Sequence, residues 1–131
     1  MEELYNLGIS DTTLKEMIEI NSEILEMSNE EIIIKKEVLN NIGCSDSQIL
    51  NIISSNALML SRTNTSLICL INYLKQLGFD NLNILFDSNP YILNLEQFEV
   101  NNYIKDRMNK GDLIDEIIDD LDSNPWLFNE M

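Results

Sequence analysis

Residues 42 to 60 open with Ile42-Gly43-Cys44-Ser45-Asp46, pass through an apolar set at Ile49, Ile52 and Ile53, and close on Asn56-Ala57-Leu58-Met59-Leu60. The phrase returns as Leu77-Gly78-Phe79-Asp80, then Leu82, Leu85 and Phe86, then Asn89-Pro90-Tyr91-Ile92-Leu93. Working outward, Gly8, Gly43 and Gly78 are spaced 35 and 35 apart, and Gly111 follows after 33. Asn21, Asn56, Asn89 and Asn124 recur at intervals of 35, 33 and 35. Two anchors on one beat mark a repeat, each unit being one supersecondary block that buries its apolar side against the next.

Each part of the unit has a physical reason. A Gly just past a helix can take the left-handed conformation that closes the last turn, and a Ser or Asp shortly after can cap the next helix. Ser10, Ser45, Asp80 and Asp112 are the candidate caps. The i, i+3, i+4 sets Leu14/Met17/Ile18, Ile49/Ile52/Ile53 and Leu82/Leu85/Phe86 each form one helix face, while the fourth unit offers Ile117 and Leu121 with Asp120 between, and Ile118 sharing the burial. Pro90 and Pro125 cannot continue a helix but can open a short third turn. That turn should tuck in Ile24 with Leu25, Met59 with Leu60, Ile92 with Leu93, and Leu127 with Phe128. Before each Gly the pattern predicts a longer helix: Met1 to Leu7, Glu31 to Asn41, Ser66 to Gln76 and about Phe98 to Asn109. Ser28 and Glu31 have the spacing of a capping box. The expected architecture is one all-α domain over residues 1–131, with units at about 1–27, 28–62, 63–96 and 97–131. Tyr91, Trp126 and Phe128 are expected in the core of the third turns, and Tyr5, Tyr73 and Tyr103 are expected to be packed; an exposed Trp126 would instead be a natural anchor for a partner.

Composition removes several function classes. The 131 residues contain no His, which excludes imidazole acid–base chemistry and His-based triads or zinc sites. There is no Walker loop, Rossmann glycine set or nucleophile elbow, so no enzymatic activity and no cofactor are expected. Cys44 and Cys69 have no metal-ligand spacing and read as small buried hydrophobes in a reducing cytoplasm. Glu2 and Glu3 stand where a signal peptide would be basic, and no apolar run approaches the ~20 residues of a membrane span, so a soluble cytoplasmic protein is expected.

The units resemble the mTERF repeat, the three-helix motif of mitochondrial and chloroplast transcription termination factors and their relatives. Residues 32 to 95 carry the best match: Val38, Leu39, Ile42, Gly43, Ser45 and Asp46 lead to Asn56, and Tyr73, Leu74, Leu77, Gly78 and Phe79 lead to Asn89, Pro90 and Leu93. The resemblance implies a curved, superhelical solenoid of four repeats of about 35 residues, with a basic concave surface that tracks nucleic acid. This chain has no counterpart of that basic set. Its Lys and Arg number 8 against 23 Asp and Glu, for a net charge of -15. Only Lys35 with Lys36, or Lys105, Arg107 and Lys110, form local basic clusters, and these read first as solvated helix faces.

The acid is uneven. Residues 1 to 30 hold eight acids and one base, and residues 99 to 131 hold nine acids and three bases. Asp112, Asp115, Glu116, Asp119, Asp120 and Asp122 alternate with an apolar stripe of Leu113, Ile114, Ile117, Ile118 and Leu121; Glu16, Glu19, Glu23 and Glu26 repeat the theme near the amino end. Such rows repel phosphate and attract cations. The leading expectation is an interaction module whose ten carboxylates bind a basic partner protein, such as a nucleic-acid-handling enzyme, as a mimic of nucleic-acid charge. The alternatives are direct nucleic-acid binding in the manner of the resembled family, which the charge disfavours, and a passive structural or oligomerisation unit. A weak divalent-cation site among Asp112, Asp115, Asp119 and Asp122 lacks the loop glycine and final Glu of an EF-hand, and no metal is expected.

Overall fold

The chain is all-α: eight α-helices and four 3-10 turns, with no strand. The computed structural model describes residues 1–131. In order come α1 (Glu2–Asn6), α2 (Asp11–Ile20) and a 3-10 turn at Ser22–Glu26; α3 (Asn29–Asn41), α4 (Asp46–Ser55) and a turn at Ala57–Ser61; α5 (Asn64–Leu77), α6 (Leu82–Ser88) and a turn at Pro90–Asn94; then α7 (Gln97–Asn109), α8 (Ile114–Ser123) and a turn at Pro125–Glu130. The cycle of helix, second helix and short turn follows the period of the glycines and asparagines. Contacts gather the chain into two compact units, Met1–Asn64 and Thr65–Met131. No helix is long and apolar enough to cross a membrane.

Helix ends follow the expected chemistry. The four repeat glycines have φ of 100, 95, 108 and 101°, a region that side chains resist. This bend lets the next residue donate its N–H five residues back, from Ile9 to the Leu4 carbonyl, Cys44 to Leu39, Phe79 to Leu74 and Asp112 to Arg107. Ser10 accepts from the Thr13 amide at 3.2 Å, and Ser28 with Glu31 forms the capping box at 3.2 Å in both directions. Ser45 forms a second box with Gln48. Asp80 and Asp112 do not cap: α6 begins after Asn81 and α8 after Leu113, neither with a side-chain cap. Asp112 is drawn instead to Arg107, a cation that outcompetes neutral amides for a carboxylate.

In the first unit α1 packs on α3, α3 on α4, and α2 against α4 and the turn Ala57–Ser61. Leu4, Met17, Ile24, Ile32, Leu39, Ile52, Ile53 and Met59 fill this core. In the second unit α7 packs on α8, and the turns Pro90–Asn94 and Pro125–Glu130 lie against each other. Leu67, Leu74, Leu85, Phe86, Ile92, Val100, Ile117 and Leu121 are buried there, with Phe79 and Phe128 rings tilted at 6.0 Å. Ile118 shares the burial as expected.

The period of Asn has a tertiary cause. Asn21 donates from Nδ2 to the Ala57 carbonyl at 3.0 Å and the Ser61 hydroxyl at 2.7 Å, while its Oδ1 accepts from the Glu23 amide at 3.2 Å. Asn89 donates in the same way to the Pro125 carbonyl at 2.9 Å and Asn129 Oδ1 at 3.0 Å. Each amide therefore fastens one 3-10 turn to the turn of the following repeat, 36 to 40 residues on.

Several expected core positions are exposed. Leu25, Leu113, Ile114, Tyr5, Tyr91 and Trp126 face solvent, and Cys69 is exposed whereas Cys44 is buried. Cys69 lies in an apolar run, but α5 turns only Leu67, Leu70, Ile71 and Leu74 inward, so every other position of that run faces outward. The 3-10 turns are five or six residues long and bury one to three side chains each, leaving Leu25, Leu58, Tyr91 and Trp126 outside.

Candidate functional site

The expected site is a set of carboxylates, and the elements sort it into three groups. On α8, Ile117, Ile118 and Leu121 face the core, which forces Asp115, Glu116, Asp119 and Asp122 onto the exposed side. These four pair with no cation. Asp115 and Glu116 lie in the first turn, where the helix dipole favours them, but the last turn carries acid and no base.

Asp112 and Asp120 belong to a different arrangement. Arg107, on α7, donates from Nε to Asp112 and from Nη2 to Asp120 at 2.8 Å, and from Nη1 to the Tyr103 hydroxyl at 3.1 Å. The guanidinium also lies 5.8 Å from the Tyr103 ring centroid. Hydrogen bonding to Asp112 first, then Asp120 and Tyr103, holds the Arg107 proton even more firmly than usual. Asp112 precedes α8 rather than continuing its row. Two of the six expected C-terminal acids are thus held by one guanidinium, which offsets the charge of one of them, a correction to the row read from the sequence. No three carboxylates converge closely enough to hold a metal ion.

Near the amino end, α2 stops at Ile20 and Asn21 caps it. Glu16 and Glu19 are on the helix, whereas Glu23 and Glu26 are on the 3-10 turn, so the four do not form one helical row. The break comes from Asn21, whose side chain is committed to Ala57 and Ser61. All four carboxylates are exposed and without a cation.

The basic clusters are spent in a similar way. Lys35 is buried and donates to Asn64 Oδ1. Lys36 sits 3.5 Å from the Glu3 carboxylate. With Arg107 clasped by two aspartates, Lys105 and Lys110 are the exposed members left of the two clusters. Sequence reasoning missed Lys35 as a core residue and Arg107 as a hub. For Lys35 the signal was present: it lies eight residues before Gly43, and Leu70 lies eight before Gly78.

An exposed aromatic completes the surface of the second unit. Trp126, 61% exposed, is two residues beyond Asn124 on the final 3-10 turn. Tyr91, also exposed, stands two beyond Asn89 on the preceding turn. The mTERF family model matches residues 1–111, so the matched stretch ends just before α8. No curated protein and no solved structure matches the chain.

Proposed function

Because the chain belongs to the mTERF family, a family of nucleic-acid-associated helical-repeat proteins, we propose that it works among nucleic-acid-handling proteins in the cytoplasm without catalysing a reaction, by binding a basic partner. The observation that carries this reading is α8: Asp115, Glu116, Asp119 and Asp122 stand unpaired on one solvent face, with the exposed Trp126 in the turn that follows. Four carboxylates on a rigid helix copy the charge of a short phosphate run, and a neighbouring indole supplies the desolvated contact that charge alone lacks. A partner that normally holds nucleic acid in a cationic groove would be occupied and inhibited. Direct binding of nucleic acid in the family's manner has little to draw on, since Lys35 is buried and Lys36 and Arg107 are held by carboxylates.

Capture from the native cytoplasm tests the reading. The intact chain should retain a basic protein that salt elutes, and should give no gel shift with mixed DNA and RNA at low salt. Replacing Asp115, Glu116, Asp119 and Asp122 together with Lys should abolish capture while leaving the circular dichroism spectrum helical. Trp126→Ala should weaken it by about 2 kcal/mol. Undiminished capture by the fourfold variant removes α8 from the interface, and a tight gel shift in physiological salt overturns the proposal. Trp126 is the single tryptophan, so its fluorescence reports the same event without a label.

A further inference from the structure

The first unit contains one buried charge that the fold does not require. Lys35 is 5% exposed, on the face of α3 that also carries Ile32 and Leu39. At the equivalent place in the next repeat α5 has the buried Leu70, so the packing role at this position is one a leucine fulfils. A buried ammonium costs desolvation that only a good acceptor set offsets. Lys35 lacks that set. Its three protons find one neutral acceptor, Asn64 Oδ1, and no carboxylate within ion-pair distance. Glu31, one turn earlier, has a carboxylate oxygen accepting the Ser28 amide. Burial correspondingly lowers the affinity of Lys35 for its proton, against a smaller opposing pull from Glu31.

The same lysine lines a pocket of about 270 Å³, formed between the turn Ser22–Glu26, α3 and the segment from Leu60 to Asn64. Arg62 lines it as a second cation, and Ser61 and Thr63 bring hydroxyl groups. Ser61 Oγ accepts from Asn21, which leaves its own proton available to donate. We propose that this pocket binds a compact oxyanion, a phosphate or a carboxylate, with Lys35 and Arg62 as its two cationic contacts. Glu23 and Glu31 stand at the exposed rim, which repels a polyanion such as a nucleic-acid strand while leaving room for a small ion. The site is in the first unit, and it is independent of α8 and of the partner proposed above.

Inorganic phosphate is the first probe and acetate the second, each titrated into the full chain at constant ionic strength with chloride as the balancing anion. The expected result is a saturable set of amide shifts confined to Lys35 and Ser61 to Asn64, and, at that constant ionic strength, a melting temperature that rises as phosphate or acetate replaces chloride. A preference between the two probes assigns the ligand class. K35M should melt at or above the intact chain without added anion, and should bind the preferred probe about tenfold or more weakly. R62Q should also weaken binding, and it decides the matter even if K35M misfolds. The absence of a saturable response to both probes, shifts centred elsewhere, or unchanged affinity in both variants overturns the proposal.

Discussion

Lys35 and Leu70 hold one register position in two successive repeats, and the difference between them is chemical rather than geometric. Burial lowers the folded-state pKa of Lys35 from its ordinary 10.5. Between the lowered value and 10.5, the unfolded chain holds a proton that the folded chain has released, so stability at this position rises with pH across that window. Below the window the buried charge is a cost. K35M should therefore be the more stable protein at neutral pH, and denaturant titrations should show its advantage shrinking as pH approaches the ordinary lysine value; a constant gap would refute the desolvation. Comparing the two proteins cancels Tyr73, whose pKa burial raises and whose contribution runs the opposite way. Asn89 is the converse case, a buried polar residue that the fold does need. Asn89→Ala removes donors to Pro125 and Asn129, and should cost about 1–3 kcal/mol in chemical denaturation. A loss within error would mean that the Asn period serves something other than fastening turns.

The repeat glycines decide how each first helix hands over to the second. Gly78 has φ of +108° and no atom within 4 Å of a built Cβ, so Gly78→Ala isolates conformational strain from crowding. The expected loss is about 1–2 kcal/mol by denaturant titration; a neutral outcome would mean that the turn relaxes to another conformation. In α8 the conflict is electrostatic. Its apolar side binds it to α7, yet its last turn carries Asp119, Asp120 and Asp122 with no basic residue against the dipole. Arg107 relieves Asp120 and leaves Asp122 unrelieved. Asp122→Lys should raise stability by about 0.5–1 kcal/mol while lowering capture of the basic partner. A variant both more stable and equally good at capture would show that the acid at this end serves neither purpose.

At the scale of the whole chain, a net charge of -15 sets like charges against one another, while only a few pairs, Lys36 with Glu3 and Arg107 with its two aspartates among them, work the other way. Repulsion should win, so added sodium chloride should raise the melting temperature through screening. A fall would mean that internal ion pairs outweigh the surface rows. The sequence by itself determined the repeat, because glycine at positive φ and an i, i+3, i+4 apolar set are local demands that any neighbour must respect: Gly43, Ser45 and Ile49 were legible without a fold. It determined the acidity too, since charge is a property of composition. The tertiary structure alone decided which carboxylates are available. Arg107 reaches Asp120 across 13 residues, and no local pattern states that Asp112 and Asp120 share a cation while Asp115, Glu116, Asp119 and Asp122 have none. It likewise decided that Trp126 faces solvent and Lys35 does not, because burial depends on what packs over a residue, and the covering segments lie about one repeat away in the chain.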